Sequence, residues 1–248
     1  MRLVSVRCAA VVFINAACAP TSAITNADQL IIAMHDRYAD AWYRSLAFSQ
    51  DVTFFDSAGA VTRTELWHEA IRLPAELRLD FEPLDRRRAV IYRNDSLFQL
   101  EDGEIVSARP QMHSLLVVAF DVYRQPPNTT FRRLMLAGYD LTTFHAGEFE
   151  GRPVYVVGAD PGDSTSTQFW VDQERLVFVR SISPTGGVIF RDYGQLAGGW
   201  IAPTVEFMTN GRVGFRQTYR DVTANVDLPD GVFDPHEWTE PSWGSVVR

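Results

Sequence analysis

Cysteine is almost missing from this chain of 248 residues. The only two, Cys8 and Cys18, lie within the first 23 residues, which have the character of a leader. The sequence therefore predicts a folded domain without disulfides and without thiol chemistry. Because 46% of the residues are apolar and no linker-like stretch divides the chain, we expect one domain over residues 24–248 that is stabilised by its own core.

Lysine is absent altogether, so all 23 basic residues are arginine. Arg2 and Arg7 belong to the predicted leader, and the rest of the chain carries 21 arginines against 31 acidic residues, a net charge of about −10. An acidic surface of this kind repels the phosphate backbone of DNA and RNA. We therefore expect no nucleic-acid partner.

Sequence motifs for catalysis, metal binding and cofactor binding are missing too. His68-Glu69 and His236-Glu237 each begin like a zinc-protease motif, but neither is followed by the second histidine. The chain has no G-x-S-x-G nucleophile turn and no phosphate-binding loop, and its five histidines are scattered. The sequence thus indicates a protein that is not an enzyme and has no catalytic residues, no metal site and no cofactor.

The first 23 residues resemble a signal segment. A basic start precedes the apolar stretch Cys8–Ala17, which is shorter than the roughly 20 residues that span a bilayer. Two cleavage sites remain open: Ala16-Ala17-Cys18 resembles a bacterial lipobox, although Asn15 replaces the usual aliphatic residue, and Thr21-Ser22-Ala23 suits ordinary signal peptidase. The short leader favours lipidation of Cys18. The protein is expected to be exported to the periplasm, where an acylated Cys18 would anchor it to the outer membrane.

The remainder of the chain reads as one helix followed by many strands. Asn26–Arg44 is predicted to be an amphipathic helix because apolar residues recur every fourth position from Leu30 to Trp42. Beyond it, stretches such as Leu77–Phe81 alternate apolar and polar residues, and short turns, among them Asn210-Gly211, separate them. About ten or eleven antiparallel strands are expected.

Residues 114–138, which we call the helical insert, interrupt this series of strands. The sequence predicts two short helices, the first ended by Pro126-Pro127 and the second capped by Asn128 or Thr129. Gly138 is expected to end the second helix so that Tyr139 folds back on Leu134. The alternative is a buried strand over Leu115–Phe120, since short apolar runs are ambiguous.

The order of elements over residues 26–235 resembles the LolA/LolB-like lipoprotein-carrier fold. Local features agree: Phe169–Asp172 turning into Leu176–Arg180, Asp192-Tyr193 followed by Gly199–Pro203, and a closing Asn225 with Phe233. The resemblance implies a mainly β fold with some α structure. Its sheet would form a curled, incompletely closed antiparallel β-barrel with an N-terminal helix, and the helical insert would act as a lid over an apolar cavity. It also implies that an arginine near a proline bonds to the lid, and Arg72 is the nearest match although Leu73 separates it from Pro74.

The expected function is therefore binding of acyl chains of a lipid or lipoprotein by a monomeric carrier or receptor. Removing a chain of about 16 carbons from a membrane into water costs on the order of 12 kcal/mol, so a carrier needs an equally apolar interior. The residues expected to line it are Leu115, Leu116, Phe120, Tyr123, Leu134, Met135, Phe48, Phe54, Leu79 and Phe207. The alternative is an envelope scaffold or stress-sensing module of the same fold with a filled core.

Overall fold

A computed structural model describes residues 23–241. The predicted leader with Cys18 therefore lies outside the described residues, apart from Ala23. The helices are α1 (Ala27–Tyr38), α2 (Ser114–Ala119) and α3 (Pro127–Leu136). Short 3₁₀ turns lie at Leu84–Arg86, Asp121–Tyr123 and Asp230–Phe233.

The remaining regular secondary structure of the described residues consists of fifteen strands. They are β1 (Ser45–Phe55), β2 (Val61–Arg72), β3 (Glu76–Phe81), β4 (Arg88–Arg93), β5 (Ser96–Glu101), β6 (Glu104–Pro110), β7 (Phe144–Phe149), β8 (Arg152–Val157), β9 (Gln168–Asp172), β10 (Phe178–Ser183), β11 (Gly186–Arg191), β12 (Gly194–Leu196), β13 (Gly199–Ile201), β14 (Thr204–Thr209) and β15 (Arg212–Ala224). Strands β12 and β13 form a separate hairpin, and the other thirteen form one sheet.

The large sheet is antiparallel and open, as the sequence predicts, although it has more strands than the ten or eleven expected. Its order is β6-β5-β4-β3-β2-β1-β15-β14-β11-β10-β9-β8-β7, so β6 and β7 are the two edges. The first and last strands meet in the middle, where β1 pairs with β15. Leu79 on β3 and Phe190 on β11 are five strands apart in the sheet and line the same small cavity, which requires the sheet to curl around a concave face.

The helical insert connects the two edges of this sheet. Because β6 ends at Pro110 and β7 begins at Phe144, the chain between them has to cross the width of the sheet. It crosses the concave face, where residues of α2 pack in the same core as residues of β1, β3 and β9. The topology thus places the insert over the concave face.

Helix α1 begins as the sequence predicts and ends six residues earlier. The Asn26 side chain caps it by accepting a hydrogen bond from the Gln29 amide at 2.8 Å. The helix ends at Tyr38 because the chain must turn before entering β1 at Ser45. Trp42 still reaches the core from that turn and stacks on Tyr123, with ring centroids 3.8 Å apart.

The first half of the insert is helical, so the alternative of a buried strand is wrong. His113 caps α2, its Nδ1 accepting a hydrogen bond from the Leu116 amide at 3.0 Å. The sequence did not predict this cap. Residues Leu116–Ala119 are buried, and their packing outweighs the low helix propensity of Val117 and Val118. The helix ends at Ala119, before the predicted stop at Pro126-Pro127.

The second half of the helical insert forms α3, which ends where the sequence predicts but begins earlier. The Tyr139 amide donates to the Leu134 carbonyl at 3.1 Å, and the Gly138 amide donates to the Met135 carbonyl, which together make a Schellman motif. Gly138 has a φ of +86°, a conformation that glycine adopts without strain. The predicted cap at Asn128 or Thr129 is wrong because Pro127 already occupies the first helical position, where proline needs no hydrogen-bond donor.

The C-terminal segment, residues 225–241, covers the convex face of β1 to β5. Val232 and Phe233 pack on alanines of β1 and β2, and a second cluster seats Trp238 on β4 and β5. Arg78 on β3 is fully buried, pairs with Asp80 at 2.8 Å and donates to backbone carbonyls of the segment. The segment is therefore held by a buried ion pair as well as by apolar contacts.

Candidate functional site

Five of the ten residues predicted to line a cavity come together beneath α2. Leu115, Leu116 and Phe120 from the insert face Leu79 of β3 and Phe207 of β14 across a cavity of about 50 Å³. The rest of its wall is formed by Glu69, Leu77, His113, Phe190, Gln217 and Tyr219. The cavity thus lies between the insert and the centre of the concave face.

The other five predicted residues lie elsewhere. Phe48, Tyr123 and Leu134 are buried in the main core, where the Tyr123 hydroxyl accepts a hydrogen bond from the Phe178 amide at 3.2 Å. Phe54 lies half-buried further along β1. Met135 is 59% exposed on the outer surface of α3.

The enclosed cavity is small compared with an acyl chain. Its 50 Å³ compares with roughly 30 Å³ for one water molecule in the liquid and with about 150 Å³ for a cavity known to bind benzene. Large side chains fill the space around it, since the rings of Phe120 and Phe190 lie 6.1 Å apart across the interior. Only a group of one or two heavy atoms fits inside it in this conformation.

A groove adjoins the cavity and is open to solvent. It measures about 370 Å³ and runs between the start of α2 and strands β10, β11 and β14. It shares Leu115 and Phe207 with the cavity, and Ile182, Val188 and Phe215 add further apolar surface. We call it the side groove. Polar residues such as Ser183, Thr185 and Thr209 line it as well, and it meets the cavity at Leu115 and Phe207.

A row of aromatic rings extends from the side groove across the uncovered part of the concave face. We call Phe81, Trp67, Phe54, Phe215 and Phe207 the aromatic strip. These residues lie on the adjacent strands β3, β2, β1, β15 and β14, and successive ring centroids are 5.0, 6.3, 5.5 and 4.2 Å apart. All five rings are partly exposed. The strip is a mainly apolar surface that the helical insert leaves open, with the Arg63 guanidinium lying over its central ring, Phe54.

Sequence reasoning identified two members of the strip, Phe54 and Phe207, as site residues and missed the other three. Phe81 and Phe215 each lie on the more apolar face of their strand, which was the available signal, whereas Trp67 shares its face of β2 with Glu65 and Glu69. The sequence does not give the register of the paired strands, which places Phe54 opposite Phe215 and Trp67 opposite Phe81.

One wall of the cavity is polar. Glu69 is only 6% exposed and accepts a hydrogen bond from Gln50 Nε2 at 2.9 Å. Burial raises the pKa of Glu69 to about 8, so its carboxyl group is protonated near neutral pH. Burial also lowers the pKa of His113 to about 4, which keeps its imidazole neutral. The cavity is therefore uncharged at pH 7.

The raised pKa of Glu69 predicts a measurable dependence of stability on pH. Between about pH 4.5 and pH 8 the folded protein holds a proton at Glu69 that the unfolded chain has lost, so this residue makes the free energy of unfolding fall as pH rises. Glu69→Gln is expected to remove that contribution, which is on the order of 4 kcal/mol at pH 8. Urea unfolding of both proteins at pH 5 and pH 8 measures it, and equal pH dependence in the two would contradict the assignment.

Besides the bond between Tyr123 and Phe178, polar contacts fasten the insert to two turns of the sheet. Arg133 of α3 bonds to Asp95 in the turn between β4 and β5 and also to buried Asp121 within the insert. Asp121 in turn accepts a hydrogen bond from the Ala75 amide at 3.0 Å. Burial raises the pKa of Asp121 to about 7.

The sequence predicts a bond from Arg72 to the insert, but in the structure Arg72 bonds elsewhere. The Arg72 guanidinium donates to Glu76, to the Leu228 carbonyl and to Asp230, so it holds the C-terminal segment instead. Its position on β2 next to the C-terminal segment explains the difference, and the backbone of Ala75 in the following turn bonds to the insert.

No helix within residues 23–241 is long and apolar enough to cross a membrane. The same stretch contains no group of three or more histidine, cysteine, aspartate or glutamate residues that is placed to hold a metal ion.

This chain is similar to known proteins in structure, whereas its sequence matches none of the family models or curated proteins. The structure is similar to a LolA superfamily protein from Nitrosomonas europaea, with a TM-score of 0.54 and 13% identity over 85% of this chain and 98% of the other. It is also similar to a putative outer membrane lipoprotein-sorting protein domain from Vibrio parahaemolyticus, with a TM-score of 0.58 and 12% identity over 84% of this chain and 95% of the other. The open antiparallel sheet, the N-terminal helix and the insert across the concave face together give this chain the LolA-like fold.

Proposed function

We propose that the concave face of this protein binds the acyl chain of a lipid or of an acylated lipoprotein, as a carrier or receptor in the cell envelope. The aromatic strip is the observation that carries this proposal. Five partly exposed rings in contact across five strands are unusual on a soluble surface, where large apolar patches mark binding sites. The fold it shares with a lipoprotein-sorting domain supports the same interpretation.

The arrangement suits a chain that lies along the sheet. The side groove and the aromatic strip share Phe207 and Phe215, so they form one track beside the insert, with polar residues on the groove side and aromatic rings along the strip. A chain on this track exchanges membrane contacts for contacts with the rings, at roughly 25 cal/mol for each Å² of apolar surface removed from water. Bulky cargo beneath α2 requires the insert to shift, since the cavity there measures only about 50 Å³.

The protein acts without catalysis in this proposal. We also propose that the protein carries a signal segment, is exported, and is attached to the membrane through an acylated Cys18. The intact mass of the mature chain distinguishes an acylated Cys18 from a free N-terminus at Ile24.

One observation favours a second function, that of an envelope scaffold or stress-sensing module with a filled core. Phe120 and Phe178 both pack edge-on against Phe190, so large side chains meet beneath the insert. A scaffold of this kind would bind no lipid. The aromatic strip argues against a module that binds nothing, because a large exposed apolar patch marks a binding surface.

Titration with a fluorescent fatty acid tests the two functions against each other. The folded protein, free of detergent, is expected to bind the probe saturably, and unlabelled lipid is expected to displace it. Near-ultraviolet circular dichroism with and without probe serves as the control that the protein remains folded. A linear, non-saturating signal from folded protein would support the scaffold instead.

A further inference from the structure

The cavity beneath α2 has a polar end, formed by Glu69, Gln217, Tyr219 and His113 among its apolar walls. Glu69 is bonded to Gln50, which is fully buried and whose Oε1 has no hydrogen-bond partner. Gln50 itself is not among the residues that line the cavity, so the polar groups that a ligand in the cavity can reach are those of Glu69, Gln217, Tyr219 and His113. None of the described residues that line the cavity is an arginine.

We propose that this polar end binds the head group of a single-chain amphiphile whose head is a small, uncharged hydrogen-bonding group such as a hydroxyl, while its chain lies in the side groove and along the aromatic strip. The inference rests on the proposed function and names its class of ligand. The ligand thus enters with its head first.

The volumes of the two spaces set this orientation. The cavity of about 50 Å³ has about a third of the volume of one that binds benzene, so it accepts only a small group. The adjoining groove of about 370 Å³ is open and accepts a chain. A methyl end placed in the cavity would exclude water from Glu69 without offering it a hydrogen bond, whereas a hydroxyl both donates and accepts.

The electrostatics of the cavity select against an anionic head. A carboxylate or phosphate would lie beside Glu69 with no cationic side chain to compensate its charge. His113 provides none either, because burial keeps it neutral. With its pKa raised to about 8, Glu69 is protonated at neutral pH and donates a hydrogen bond to an uncharged head. Tyr219 adds a hydroxyl that both donates and accepts.

A competition experiment at pH 7 tests the inference. The apolar dye 1-N-phenylnaphthylamine is bound to the protein and displaced by 1-decanol or by decanoate, which have the same chain length. We expect decanol to displace the dye at a concentration at least about tenfold lower, the factor that 1.4 kcal/mol gives. Glu69→Leu is expected to reduce this ratio to the value set by the partitioning of the two compounds into detergent micelles, and Glu69→Gln is expected to keep it.

Controls separate the subsite from the rest of the site. Glu104→Leu, on the exposed surface of edge strand β6, is expected to leave the ratio unchanged. Tyr219→Phe removes one hydroxyl and is expected to lower the ratio about threefold, which keeps the test valid if Glu69→Leu does not fold. An unchanged ratio in folded Glu69→Leu or Tyr219→Phe would overturn the subsite. Absence of dye binding to the wild-type protein would instead overturn the proposed function.

Discussion

Replacing Arg78 by leucine is expected to lower the free energy of unfolding by about 3 kcal/mol and the melting temperature by about 10 °C. Arg78 and Asp80 are both fully inaccessible and 2.8 Å apart, so the substitution leaves a carboxyl group buried without its partner. It also removes the donors to the carbonyls of Val232 and Thr239 and the guanidinium lying 4.6 Å from the Trp238 ring. Thermal and urea unfolding measure the loss.

The double variant Arg78→Leu/Asp80→Leu is the matched control for this prediction. Removing both charges together leaves no unpaired charge, although the carbonyls of Val232 and Thr239 still lose their donor. The double variant is therefore expected to regain part of the stability lost by the single one. Limited proteolysis of the single variant is expected to cut first within residues 225–241. A single variant as stable as the wild type would contradict the role given to Arg78.

Phe54→Asp is expected to weaken binding of a fluorescent acyl-chain probe about a hundredfold, or roughly 2.7 kcal/mol. Phe54 is the central ring of the aromatic strip, and a carboxylate at this point would be desolvated by a bound chain. The fold is expected to tolerate the change because the ring is partly exposed and Arg63 lies 3.6 Å from its centre, where it can pair with an aspartate. Probe titration and thermal unfolding measure the two effects separately.

Phe55→Asp provides the matched control, since it alters the neighbouring residue of the same strand. Phe55 is half-buried like Phe54 but lies beneath Arg216, whose partner Glu206 belongs to the convex face. This variant is expected to bind the probe as the wild type does. Equal losses in the two variants would mean that the strip is not the binding surface.

The sequence was sufficient to predict the elements whose signals are local. The helical insert could be predicted from the length of the apolar segment and from Gly138 at its end. The predicted Schellman contact is confirmed, since the Tyr139 amide lies 3.1 Å from the Leu134 carbonyl. The open antiparallel sheet follows from alternating strands with short turns. Its strand number was underestimated because strands such as β2 carry charged residues on both faces, which hides the alternation.

Features that depend on the register between strands far apart in the chain could not be predicted from the sequence. The aromatic strip exists because β1 pairs with β15, about 170 residues later, and places Phe54 opposite Phe215. Glu69 looked like part of an incomplete zinc motif, and only the register of β2 shows that it faces the cavity with Leu79 as its neighbour. Similarly, the size of the cavity depends on the packing of Phe190 against Phe120.

Photo-cross-linking with a diazirine-bearing lipid tests the central claim most directly, because it locates the bound chain. Peptide mapping by mass spectrometry is expected to place saturable labels on the inner-face residues of β1, β2, β14 and β15, with Phe54, Trp67 and Phe215 among them. Excess unlabelled lipid is expected to suppress these labels. Labels that are confined to the convex face, or that do not saturate, would contradict the account.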